Sequence, residues 1–440
     1  MVSVSIGSRQ IACAVSCLAL LAAVVSCRPQ TAANVTTGES LQIPPEYQHD
    51  TWPRFRGPDG SGIAPLDHWN APTDVPLEQR VLWRTPLPLP GSNSPLVWGG
   101  RIFVTGADGN RREVYCIDAQ SAERVWTYGV APDYDGPAPR IHGMTGYAPA
   151  TGTVDAERVY SIFPTGHLVA LDHTGNHVWE RWFDMSEDIY GHAGSLLLYD
   201  GLLIVQIDLG KPDIGRSHMV AVDAATGETV WEVSRPVQGS WTTPIVIETG
   251  GRTELITSAK PWVIAYDAAT GDEYWRVRCI EGDSAPSPVY AGGHVYVANI
   301  YAELTAIRPG GSGDVTDTHV SWSVRGSLPD ICSPLSNGEL VWVLSTGGIL
   351  SCFDADDGAL VYRENLEVRF RSSPSLVGGA LYLFGERGEA LTVDAGREYS
   401  LLSRTEVGEP IYSCPAFAHG RMYIRGERHV FAVDVTGTGG

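Results

Sequence analysis

The stretch MVAVDAATGETVW, residues 219–231, is an apolar run, an Asp, a small-residue turn carrying Gly, and a closing Trp. Near-copies recur as YCIDAQSAERVW (115–126), VALDHTGNHVW (169–179) and IAYDAATGDEYW (264–275), with a looser SCFDADDGALVY (351–362). Weaker copies are LTVDAGREYSLL (391–402) and a shortened FAVDVTGTGG (431–440). Asp118, Asp172, Asp223, Asp267, Asp354, Asp394 and Asp434 mark the copies, and Arg308 fills the gap between 267 and 354. That makes eight units with a mean spacing of about 45 residues, a period that signals a repeat architecture.

Each unit carries a second signature upstream. It is a Pro-containing start, an apolar run, a Gly turn and an alternating run, as in SPLVWGGRIFVTG (94–106), SPVYAGGHVYVAN (287–299) and SPSLVGGALYLFG (373–385). One unit is therefore four short strands, with a hairpin turn between the first two. Four antiparallel strands in about 45 residues describe a β-propeller blade, which buries its faces only by stacking on neighbours. The eighth unit stops without a fourth strand, while VLWRTPL (81–87) stands upstream as an unclaimed fourth strand whose Trp83 matches the repeat Trp. The expected fold is all-β: an eight-bladed β-propeller closed by strand 81–87 completing the last blade. In the repeated turn the Asp accepts backbone N–H bonds and the Gly takes positive φ. The Trp, on the outermost strand, is expected to wedge between blades.

The bulk numbers agree. The chain has 440 residues with 49 Gly, 29 Pro and 13 Trp, which suits many turns and large packing groups. Its net charge of −20 repels phosphate backbones, so nucleic acid is not an expected partner. Residues 1–27 read as a signal peptide, with Arg9 the only charge before an apolar run that ends VVSC (24–27). A small residue before Cys resembles the bacterial lipoprotein signal, so Cys27 is the expected lipid attachment site. Plain secretion, with cleavage near Ser26 or Ala32, is the alternative. Residues 28–50 read as a flexible tether, and 51–440 as the propeller with its leading segment WPRFRGPDGSG (52–62). The expected location is the periplasm or cell envelope, with the membrane touched only through the anchor. Cys116, Cys279, Cys332, Cys352 and Cys414 are widely spaced, and buried free thiols are expected.

The repeats resemble the pyrroloquinoline-quinone (PQQ) repeat of quinoprotein alcohol dehydrogenases and of the outer-membrane assembly lipoprotein BamB. A closer likeness is to exported bacterial PQQ-binding-like β-propeller proteins. It is carried by WPRFRGPDGSG, TGYAPATGTVDAERVY (145–160), GHAGSLLLYDGLLIVQID (191–208), SWTTPIV (240–246), GGRTEL (250–255) and AIRPGGSGDVTDTHVSW (306–322). The resemblance implies the propeller. In the dehydrogenases it also implies a quinone held between a Trp and a disulfide of adjacent Cys, with Ca²⁺ bound by Glu, Asn and Asp. This chain has no adjacent Cys pair and no CxxCH haem motif, so no cofactor is expected, and PQQ with calcium is the alternative.

Candidate binding residues fall in the loops that lead into the innermost strands, where they would rim the central channel. They are Arg140, His142, Tyr147, His192, Trp241, Asp330 and Arg371, with Asn93, Asp283 and Tyr412 beside them. His142 and His192 occupy equivalent positions in neighbouring units, which would let them face each other; no metal site is expected from them. The leading segment reads as a plug or clamp with Trp52 and Phe55 buried, and 306–322 as a protruding loop on blade five that contacts a partner or caps an edge. GxSxG, HExxH and SxxK motifs are absent. The sequence thus favours a non-enzymatic binding or scaffold platform for an envelope protein or a glycan or peptide ligand. The alternative is a quinone-dependent oxidoreductase, or another enzyme with its site in the channel.

Overall fold

A computed structural model describes residues 51–64, 76–131, 141–185, 188 and 190–435. The signal peptide, Cys27, the tether and Arg140 lie outside the described residues. Eight antiparallel sheets succeed one another along the chain. Their innermost strands run from Leu96–Trp98 in blade 1 to Ala416–Ala418 in blade 8, and each blade steps outward strand by strand. The ring closes as the repeat count requires. Val81–Pro86 pairs antiparallel with His429–Asp434, Trp83 opposite Ala432, and supplies the outer strand of blade 8. Among the described residues no helix is long and apolar enough to cross a membrane.

The opening stretch shows why the third strand of blade 3 is apolar on both faces along its middle. In His218–Asp223, Val220 and Val222 pack towards blade 2, against Leu168, Ala170 and Trp179. Met219 and Ala221 pack towards blade 4, against Leu255 and Ile264. Successive side chains of a strand point to opposite faces, and in a ring of stacked sheets both faces are interior.

The repeated turn joins those faces. Asp223 Oδ1 accepts the backbone N–H of Ala225 at 2.9 Å and of Thr226 at 2.8 Å. Asp118, Asp172 and Asp267 cap their own turns in the same way. The Trp reaches across to the turn of the next blade. Trp126 Nε1 donates to His173 O at 3.0 Å, Trp179 to Ala224 O at 3.0 Å, Trp231 to Ala268 O at 3.3 Å, and Trp322 to Ala355 O at 2.9 Å. Trp83 of the closing strand does the same to Ala119 O of blade 1, at 3.2 Å. The acceptor is each time the residue after the repeat Asp. The turn Gly then lies against the indole face: a Cβ on Gly175, Gly227, Gly271 or Gly358 would stand 2.7–2.8 Å from the preceding blade's Trp. Gly is required twice over, by positive φ and by the ring stacked on it.

Blade 5 breaks this pattern, and its neighbour compensates. Arg308 stands where the turn Asp would be, and Trp275 Nε1 instead donates to the buried Glu254 carboxylate at 2.8 Å. The inserted residues do not protrude. Gly313–Asp314 pairs in parallel with Glu273–Arg278 as a fifth strand on blade 4. Arg308 Nη2 donates to Thr318 O at 2.7 Å, within the loop. Of the two roles read for this loop, the structure shows the edge cap.

Two glycines separate backbone strain from packing. Gly227 (φ 75°) has Trp179 at 2.7 Å from a would-be Cβ, while Gly201 (φ 74°) has nothing within 4 Å. Each Gly→Ala change is expected to cost about 1–2 kcal/mol in backbone strain. Gly227→Ala should lose roughly 1–3 kcal/mol more from overpacking. Chemical denaturation of the two variants checks the difference, and equal losses would remove the stacking role.

Candidate functional site

The starts of the innermost strands form a continuous belt around the channel. Ser94 N–H donates to Thr151 Oγ1, Thr151 to Ser195, Ser195 to Thr243, Thr243 to Ser287, Ser287 to Ser333 and Ser333 to Ser373, all within 2.9–3.1 Å. Cys414 takes the eighth place, and its N–H returns to Ser94 Oγ at 3.0 Å. Six of these eight residues precede a Pro. The sequence signal was the Pro-containing strand start; that it carries an interlocking hydroxyl belt is visible only once the blades stand side by side.

Below the belt the leading segment crosses the channel. Trp52 exchanges backbone hydrogen bonds with Val97 of blade 1, and Val154 N–H of blade 2 donates to Pro53 O. Arg54 Nη2 donates to Pro244 O of blade 4 at 2.7 Å, and Ala64 N–H donates to Leu376 O of blade 7. Contacts to blades 1, 2, 4 and 7 make this segment a plug. Trp52 is buried, 1% exposed, as expected. Phe55 corrects the expectation: it is half-buried, because its ring faces the open side of the channel.

Above the plug the channel widens into a cup of about 840 Å³, with Phe55 and the belt residues in its lining. This is within the usual size range of ligand pockets. Tyr147, Tyr190, Trp241, Tyr301 and Tyr412 supply aromatic walls, and Tyr301 is 65% exposed. Asp108, Asp283, Asp330 and Glu427 supply carboxylates, and Arg371 is the charged counterweight. Arg371 is already committed: its Nε donates to Glu386 at 2.9 Å, and its guanidinium lies 5.4 Å from the Tyr412 ring centre. The lining is therefore electronegative.

The rim candidates divide. Tyr147, Trp241, Asp330, Arg371, Asp283 and Tyr412 line the cup. His142 is exposed and packs on Tyr190 at 4.8 Å, and Tyr190 meets Trp241 edge-on at 5.0 Å. Asn93 turns inward, donating to Thr105 O and Ala148 O and accepting Thr105 N–H. His192 is also no rim residue. It is 5% exposed, in a polar region near Asp208, so the two histidines do not face each other. Tyr190, Tyr301, Asp108 and Glu427 escaped the sequence reading, because no repeat position marks which loops lean inward.

A buried ion pair supports the Trp241 loop. Arg235 Nε donates to Asp208 Oδ1 at 2.7 Å with both side chains fully buried, and Ser240 Oγ and Gln206 Nε2 donate to Asp208 Oδ2. Trp241 N–H donates to Ser284 O at 2.9 Å. The loop is thus pinned on both sides of the ring it presents.

Burial lowers the His192 pKa to about 4, with the Gly194 backbone and Asp208 pulling the other way. The unfolded ring titrates near 6.5. The unfolded state therefore takes up a proton that the folded state refuses, and stability falls as the pH drops from about 6.5 towards 4. At about 1.4 kcal/mol per unit, the ceiling is roughly 3 kcal/mol. His192→Gln should flatten this limb of a urea-denaturation profile between pH 7 and 4.5. An unchanged limb would assign the acid loss to other groups.

Comparisons with known proteins agree on the fold. A family model described as "Outer membrane protein assembly factor BamB" matches residues 78–190 and 215–337. A polyvinylalcohol dehydrogenase of Sphingopyxis sp. (strain 113P3) is 28% identical over 170 residues, 36% of this chain. The chain spans only 24% of that relative's length. Among solved structures, the quinohemoprotein alcohol dehydrogenase of Comamonas testosteroni superposes with TM-score 0.66 at 14% identity, covering 89% of this chain and 81% of that one. BamB of Moraxella catarrhalis gives 0.60 at 15% identity, over 80% and 99%. At such identities the likeness speaks for the fold alone. With more than half of its length matched by the family model, the chain belongs to the PQQ-like repeat β-propellers of the BamB family.

Proposed function

We propose that the protein is a non-enzymatic binding platform of the cell envelope, with the cup as its working surface. The observation that carries this reading is the cup itself: a blind, aromatic-walled cavity on a rigid ring, with hydroxyls at its base and carboxylates on its walls. Aromatic walls with scattered polar groups suit a peptide or glycan segment of an envelope partner. The BamB family membership and the VVSC sequence at 24–27 support an envelope location with a lipid anchor at Cys27.

Affinity capture from detergent-solubilised envelope tests the platform. The wild type should retain a specific companion that Trp241→Ala loses at an unchanged melting temperature. Capture of nothing above background by the wild type would count against the platform, and equal loss of binding and stability would make Trp241 a structural residue.

The shared propeller fold keeps a quinone-dependent oxidoreductase as the second reading, but the residues do not fit the group. PQQ is a tricarboxylate, and Asp108, Asp283, Asp330 and Glu427 would face it against an Arg371 already paired. Among the described residues no cluster of three or more His, Cys, Asp or Glu side chains is placed to hold calcium, and the five cysteines are free. Adding PQQ with Ca²⁺ should leave the visible spectrum and melting temperature unchanged. A shift in both would reinstate the oxidoreductase.

A further inference from the structure

Arg371 shows what kind of group the walls of the cup suit. Its guanidinium lies 5.4 Å from the Tyr412 ring centre, and its Nε donates to Glu386 at 2.9 Å. A cation on a ring face beside a carboxylate is a favourable arrangement. The same two ingredients recur on blade 5 with no cation of the chain to meet them. Tyr301 and Asp283 both line the cup, and Tyr301 is 65% exposed. Though exposed, the ring is seated. It lies over Gly282 (φ 67°), where it leaves no room for a Cβ. Tyr301 N–H donates to Asn299 Oδ1 at 2.8 Å, and Asn299 Nδ2 donates to Asp283 O at 2.6 Å. The loop therefore holds an exposed aromatic ring and an acidic residue together.

The wall charges are open. Among the described residues Asp283, Asp330 and Glu427 belong to no ion pair. The Asp283 carboxylate accepts only the neutral Gln238 amide, at 2.9 Å. Asp108 meets the exposed Arg111 at 3.4 Å. Asp283 and Asp330 lead into blades 5 and 6, whereas Glu427 and Asp108 stand on blades 8 and 1, so the charges come from opposite arcs of the ring. That spread bears on the guest. A bare divalent cation such as Ca²⁺ needs about six to eight oxygens drawn close around it, and among the described residues no three acidic groups are placed to do so. A cation carried on an apolar stem fits better, since the stem lies along the rings while the head reaches a carboxylate.

We propose that the cup binds a Lys or Arg side chain of a partner protein, with Asp283 and Asp330 taking the charge and Tyr301 the face of the cation. The inference rests on the cup being the working surface of the platform. An exposed ion pair alone contributes little, but a concave, carboxylate-lined wall focuses its field on the guest, and a ring face adds to it. The net charge of −20 draws a basic partner from further away.

Calorimetric titration of the full chain with the end-blocked pentapeptide Gly-Gly-Lys-Gly-Gly tests it, beside versions with Arg, norleucine or Glu at the centre. The Lys and Arg peptides should bind with a stoichiometry of one, more weakly as NaCl is raised, and the norleucine and Glu peptides should not bind. Asp283→Asn, Asp330→Asn and Tyr301→Ala should each weaken the Lys peptide several-fold at an unchanged melting temperature. Glu232→Gln, exposed on the outer strand of blade 3, removes the same charge away from the cup and should leave the affinity as it is. Equal binding of the norleucine peptide overturns the subsite, as does an equal loss with Glu232→Gln. Binding of chitotriose where no basic peptide binds also overturns it, in favour of a neutral glycan. Partner capture that excess Lys peptide does not displace sinks the subsite alone. Lys peptide binding without partner capture sinks the platform alone.

Discussion

The structure depends on one contact, repeated: the indole of one blade laid on the turn Gly of the next, with its N–H given to the carbonyl after the Asp. Neither half suffices by itself. The turn needs its Asp to spend the N–H groups it leaves open, and the Gly to leave room for the ring. The Trp needs an acceptor, because an indole N–H buried without one costs free energy. Blades 1, 2 and 3 each supply a ring to one neighbour and a socket to the other. A sheet that would be unstable alone is thereby specified on both faces.

Where one half is missing, the fold changes locally. Blade 5 has Arg308 and no Asp-capped turn, and Trp275 turns to Glu254 within its own blade. The edge left beside it is covered by the inserted strand Gly313–Asp314. A similar economy acts at the channel, where hydroxyls stitch seven of the blades to their neighbours and a thiol stands at the eighth. One set of contacts fixes blades at their outer strands, and the other fixes them at the axis.

The sequence revealed the architecture because repetition samples the same physics many times. Asp, Gly and Trp at fixed spacing named the turn, and Trp83 on an orphan strand named the closure. The site was less legible, since it is built where the repeats differ. Trp241 and Asp330 were found by their place in the loops before the first strands. His192 occupies an equivalent place yet turns inward, towards the polar region near Asp208. Asn93 likewise serves its own loop. Loop position alone does not set the direction of a side chain. Phe55 shows the converse, an aromatic ring in a buried segment that is left open because the channel widens above it.

The plug also decides the shape of anything the cup can accept. A propeller with a clear bore can be threaded by an extended chain, which slides through and is held along its length. With residues 52–64 hydrogen-bonded across the bore, threading is closed off. A guest must offer a tip: a chain terminus, the bend of a loop, or the end of a branch. For the binding role proposed above, recognition would be of ends and corners, and release would retrace the path of arrival.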